Sequence, residues 1–131
     1  MEMIGEVPDI VGKRCEGLIC EAFDFKGERV ADANVVHLRF SETWHRLIID
    51  SGVIFWRLSE KTPAPWQVEA ENWSYPHTDI GIAFDLVGQR LTKLDMDTDN
   101  LSGEVRFLFE DGRTLIVESR DGDCTRYRLE G

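Results

Sequence analysis

Apolar and polar residues alternate with a period of two over much of this chain. Val36, Leu38 and Phe40 alternate with Val35, His37 and Arg39, the pattern of a strand with one face against a core. Val105, Phe107 and Phe109 line one face of a second run, and Thr125, Tyr127 and Leu129 alternate with Arg126, Arg128 and Glu130 in a third. Turn signals separate these runs. Glu110-Asp111-Gly112 and Arg120-Asp121-Gly122-Asp123 each carry Asp-Gly, a strong hairpin signal because glycine takes positive φ with no Cβ penalty. Ser41-Glu42-Thr43 and Ser51-Gly52 predict two more turns, joining strands at 35–40, 44–50 and 53–58. Val53-Ile54-Phe55-Trp56 is apolar on both faces. It predicts an internal strand covered on both sides, with Ile54, Phe55 and Trp56 all buried.

The pattern occurs twice. Asp9-Ile10-Val11-Gly12-Lys13-Arg14 matches Asp85-Leu86-Val87-Gly88-Gln89-Arg90, and the strand signals follow in the same order after each copy. An internal repeat implies that each copy is one supersecondary unit burying its apolar face against the other. The expected units are 9–60 and 85–130 of a single domain, 1–131. The fold expected is all-β: two similar four-stranded meanders packed as a pseudo-twofold sandwich or partly open barrel. The alternative is α+β with short helices at 10–22 and 84–94. Val11, Cys15, Leu18 and Ala22 have helical spacing there, as do Phe84, Val87, Leu91 and Leu94. Gly12 and Gly88 argue against helix and for bulges or sharp bends.

The segment 61–84 joins the units. It holds Pro63, Pro65 and Pro76 with Trp66, Trp73 and Tyr75. The prolines predict no regular ladder. The aromatics predict a loop packed over one end of the core, either as packing or as a binding lid.

Charge narrows the partners. The formal net charge is -10, with 25 acids against 15 Lys and Arg. Residues 1–65 contribute 11 acids and 8 bases (net -3), and residues 66–131 contribute 14 and 7 (net -7). Phosphate backbones and anionic membranes need a basic footprint, so neither nucleic acid nor membrane is expected as a partner. A basic protein or a small molecule is, and a homodimer is compatible with the sequence. No leader and no apolar span is visible, and Cys15, Cys20 and Cys124 are odd in number without CxxC spacing. Reduced thiols and a cytoplasmic location are therefore expected, although the sequence does not forbid a Cys15–Cys124 bridge.

Few residues suggest chemistry. Asp95-Met96-Asp97-Thr98-Asp99-Asn100 starts like a calcium loop, but Asn100 stands where the glycine is needed and Arg106 where the bidentate acid is needed. Asp95, Asp97 and Asp99 are therefore read as a solvated turn, and no metal or cofactor is expected. His37, His45 and His77 are the only histidines. No spacing enforces a zinc site, and His37 falls on the polar, exposed face by alternation. Cys15 or Cys20 could pair with a histidine as a nucleophile, but buried packing is the simpler role. The residues expected at a binding surface are Trp66, Trp73, Tyr75 and His77, with no catalytic residue assigned.

The hairpin Phe107-Leu108-Phe109-Glu110-Asp111-Gly112-Arg113-Thr114-Leu115-Ile116-Val117, preceded by Val87-Gly88-Gln89-Arg90-Leu91, resembles small bacterial β-proteins. Some of these are similar to immunity proteins of contact-dependent toxin systems. The resemblance implies no catalytic residue. The function expected first is a small acidic, non-enzymatic interaction protein, an immunity-type inhibitor of a basic partner. The alternatives are a small-molecule-binding β-barrel and an enzyme using His37, His45 or His77. Two histidines within hydrogen-bonding reach of a carboxylate or thiol in a cleft would favour the enzyme.

Overall fold

A computed structural model describes residues 1–131. Twelve strands form: β1 (Met3–Ile4), β2 (Gly17–Phe25), β3 (Glu28–Phe40), β4 (Thr43–Asp50), β5 (Val53–Ser59), β6 (Trp66–Val68), β7 (Trp73–Tyr75), β8 (His77–Asp79), β9 (Leu91–Asp99), β10 (Ser102–Phe109), β11 (Thr114–Ser119) and β12 (Arg126–Glu130). A 3-10 turn at Glu69–Glu71 and one helical turn, α1 (Ile80–Ala83), are the only helical pieces. The protein is all-β.

Two sheets stack face to face. The larger has eight strands in the order β1-β5-β4-β3-β2-β7-β6, with β8 also on β2. The smaller has the order β12-β11-β10-β9. All pairings are antiparallel except β1 with β5. Alternation delivers one apolar row from each strand to the space between the sheets. Leu18 and Cys20, Val36 and Leu38, Leu47 and Ile49, and Ile54 and Trp56 meet Val105, Phe107, Phe109, Leu115 and Val117 there. The sheets form no closed barrel, consistent with the expected all-β sandwich.

Neither 10–22 nor 84–94 is helical. Gly12 and Gly88 take φ of +87° and +93°, which a right-handed helix cannot contain. Each lies in a tight turn ahead of its strand, and the two turns bond to each other. Gly12 N donates to Leu91 O and Leu91 N to Lys13 O; Gly88 N donates to Cys15 O and Cys15 N to Gln89 O. Arg14 caps the Gly88 carbonyl at 2.9 Å, and Arg90 caps the Gly12 carbonyl at 2.7 Å. Ile10 and Leu86 anchor the two turns in the core.

Segment 61–84 departs from the expected loop. It returns alongside β2 and extends the large sheet. The prolines sit between strands, where a missing N–H does no harm. Pro76 separates β7 from β8, and its carbonyl still accepts the Ala22 N–H at 2.8 Å. The aromatics therefore lie on the outer face of the large sheet and not over one end of the core.

The β5 expectation holds only for two of its three residues. Ile54 and Trp56 point into the core, whereas Phe55 is half-buried on the outer face with the Arg57 guanidinium 5.9 Å from its ring centre. The two-residue β1 covers the edge of β5.

Gly112 has φ of +92° in the turn after β10. A Cβ there would meet no atom within 4 Å, so any cost is pure backbone strain. Gly112→Val should lose about 1–3 kcal/mol on urea denaturation. An unchanged midpoint would contradict that turn geometry.

Candidate functional site

The outer face of the large sheet carries the chemistry. Register places Ile19, His37, Arg46 and Arg57 in one row across β2, β3, β4 and β5. On the other side of β2, Glu21 pairs directly with His77 of β8. Residues at successive odd positions of β2 share this outer face, so Glu21 stands two residues beyond Ile19 on the same side. His37, Glu21 and His77 therefore meet across three adjacent strands, the two histidines on one carboxylate that the enzyme alternative calls for, without His45 among them.

Their contacts are short. His37 Nε2 donates to Glu21 Oε1 at 3.2 Å, and His77 Nε2 donates to the same oxygen at 2.9 Å. The two imidazole rings lie 5.4 Å apart, centre to centre. All three side chains are about nine-tenths removed from water, at 8%, 8% and 10% exposure for Glu21, His37 and His77. Burial pushes the Glu21 carboxyl up, but the hydrogen bonds and charges of His37 and His77 outweigh it and hold the carboxyl below its ordinary range. His37 Nδ1 is buried without a partner, and so is Arg46 Nε on the neighbouring strand. Unpartnered buried polar atoms are uncommon and costly.

A cleft of about 310 Å³ opens over this group. Glu21, His37 and Arg46 form part of its floor, and Ser59, Lys61, Thr62 and Trp66 part of its wall. Trp66 stacks on Tyr75 at 4.0 Å and 10°, and Tyr75 stacks on Phe23 at 5.2 Å. Trp73 meets Phe23 edge-on at 6.4 Å. The ladder fixes the Trp66 ring at the cleft while leaving half of its surface exposed.

The sequence groups Trp66, Trp73, Tyr75 and His77 at one surface, and the structure distributes them. Trp66 faces the cleft, Tyr75 backs it, His77 belongs to the buried trio, and Trp73 lies further along the ladder beside Lys26 and Asn72. Alternation predicts an exposed His37, and the structure buries it. The face is the predicted one, but segment 59–66 covers it. The sequence does not mark Glu21 as a site residue. Its only signal is a lone acid inside the apolar run Leu18 to Phe23.

His45 lies apart. It lines a different groove with Glu6, Val7, Pro8, Asp9 and Leu58, where burial and then Lys13 lower its pKa. Asp95, Asp97 and Asp99 lie on strand β9 and not in a loop, all on one exposed face. Alternate residues of a strand sit about 6.6 Å apart, so these carboxylates do not converge as a calcium loop requires. Cys15 and Cys20 are buried away from the histidine trio. Burial pushes both thiols up to about 12, so neither supplies a thiolate nucleophile at neutral pH. All three cysteines are free. A thiol reagent should therefore label one site per native chain, Cys124, and three after unfolding. Three rapid labels in the native protein would contradict the burial.

Replacing Glu21 tests the trio. Glu21→Ala leaves two buried imidazole N–H groups without an acceptor, and should cost about 2–4 kcal/mol on urea denaturation. Glu21→Gln keeps an acceptor oxygen and should cost less. Equal stability of Glu21→Ala and the parent would mean that the histidines find other partners.

No helix is long and apolar enough to cross a membrane. Comparison with protein-family models, with characterised proteins and with solved structures found no match.

Proposed function

We propose that this protein binds a compact oxyanion, a carboxylate or phosphate group, in the cleft over the large sheet. One observation carries the reading. Ten of the fifteen Lys and Arg side chains form ion pairs, leaving Lys26, Arg46, Arg57, Lys61 and Arg126 without one. Arg46 and Lys61 both line the cleft, beside His37; Arg57, next to Arg46 in register, lines the separate His45 groove and donates to the Trp56 carbonyl. In a chain of net charge -10, two unpaired cations side by side at one concave site favour an anion from solution. Ser59 and Thr62 supply hydroxyl groups, and Trp66 offers a flat apolar wall. Glu21 stays ionised beneath the cleft, its Oε1 engaged by both imidazoles.

The immunity-type reading requires a free acidic surface. The outer face of the small sheet carries Glu104, Glu118 and Glu130, but Arg106, Arg120 and Arg128 pair with them. Those pairs leave Asp97 and Asp99 of β9 as the unpaired acids of this face, fewer than its acid count suggests.

The test is a titration of metal-free protein with phosphate, sulfate and citrate at constant ionic strength, read by tryptophan fluorescence. A saturable change is expected for at least one anion. Arg46→Gln should weaken it about tenfold or more, the loss of a charge-assisted hydrogen bond. Linear, non-saturating responses throughout, or undiminished affinity in Arg46→Gln, would overturn the reading.

A further inference from the structure

We propose that Glu21, His37 and His77 form a binding site for a first-row divalent transition metal, open to the cleft. The inference goes beyond anion binding and stands on the donor atoms alone. Both imidazole Nε2 atoms converge on one carboxylate oxygen, and the three atoms lie within 4.8 Å of one another. A carboxylate holding two histidines merely as hydrogen-bond donors can take one on each oxygen; here both aim at Oε1. Tetrahedral zinc with bonds of about 2.0–2.1 Å places neighbouring ligand atoms about 3.3 Å apart. The Glu21 contacts, 3.2 and 2.9 Å, are already near that spacing. An ion would take the place on which the two Nε2 atoms now converge, with Glu21 Oε1 drawing back by about an ångström or more to become its third ligand.

The scaffold favours it. The three ligands come from β8, β2 and β3, adjacent strands whose register fixes their separation. Burial keeps water from competing for the donors. Two imidazoles and one carboxylate are borderline donors, suited to zinc and its neighbours and poor for calcium or magnesium, which need several hard oxygens. Glu21 and His37 open onto the cleft, so a fourth coordination position would face it. Three protein ligands and one open position is the arrangement of metals that meet a ligand. The metal takes the Nε2 lone pair of His37, so its proton moves to Nδ1, the atom now without a partner. Cationic Arg46 beside the ion would then favour an anionic fourth ligand.

The test uses full-length protein stripped of metal and titrated with zinc chloride in a calorimeter, without added oxyanion. One zinc per chain is expected, with a dissociation constant of about 1 µM or tighter. Calcium and magnesium at the same concentrations should give no binding. His77→Ala should weaken zinc about a hundredfold or more, with circular dichroism checking that it folds. His45→Ala and Cys124→Ser should bind like the parent, which excludes the groove histidine and the accessible thiol. In the unmutated protein, zinc should shift the ring resonances of His37 and His77 and leave those of His45 in place. Absence of saturable zinc binding, undiminished affinity in His77→Ala, or ring shifts confined to His45 would each overturn the proposal. Anion binding is measured on metal-free protein, so either result can fail while the other holds.

Discussion

Gly52→Ala is expected to destabilise the protein by about 3–5 kcal/mol, from backbone strain and overpacking together. Gly52 has φ of +78° in the two-residue turn between β4 and β5. A Cβ on it would fall 2.0 Å from the Asn100 carbonyl oxygen and 3.1 Å from the Leu101 Cα. Those atoms are backbone of the β9–β10 turn, and backbone cannot swing aside as a side chain does. The only relief is to push the β4–β5 and β9–β10 turns apart, and these turns clamp the sheets at one end. Gly27→Ala is the control. It has φ of +79° in the β2–β3 turn, yet nothing lies within 4 Å of its added Cβ. It should lose only the left-handed backbone cost, about 1–2 kcal/mol. Equal losses for the two variants on urea denaturation would show that the turn-to-turn contact is loose.

Trp56→Ala is expected to cost about 3–5 kcal/mol by leaving a cavity that the core cannot fill. The indole is 2% exposed and lies between the sheets, paired in register with Leu47. Its Nε1–H reaches the Met96 sulfur at 3.3 Å, tying β5 to β9. Domains of this kind are stable by about 5–15 kcal/mol, so this loss is a large fraction of the total. Phe55→Ala on the same strand should cost much less, because that ring is half-buried on the outer face. Comparable losses would mean that the two faces of β5 are covered alike, as the apolar run itself suggests.

The meanders are legible because their information is local. Alternation along β3, β10 and β12 names the inward rows, and Asp111-Gly112 and Ser51-Gly52 name the turns. The shared Asp-x-Val-Gly signal is also visible, but its meaning is not. Each copy forms a turn whose hydrogen-bond partners lie in the other copy, and no local pattern reports that. The site is less legible still. Alternation assigns His37 to an outer face, but it cannot say that a later segment will cover that face. The covering piece reads as loop because proline cannot donate to a ladder. In the fold, Pro63 and Pro65 precede β6, and Pro76 falls between β7 and β8, so no ladder bond is lost. Glu21 is masked by Leu18 and Ala22, whose spacing also fits a helix. Only the pairing of β8 with β2 brings Glu21 against His77, and that register is a long-range property.

The most direct test of the outer-face site is the long-range proton–nitrogen spectrum of the three histidines in metal-free protein, recorded with and without phosphate. His37 and His77 should both carry their proton on Nε2, protected from exchange by Glu21, and phosphate should move the His37 signals while those of His45 stay in place. Rapidly exchanging His37 and His77 protons, or a phosphate response at His45 alone, would contradict a Glu21-centred site beneath the cleft.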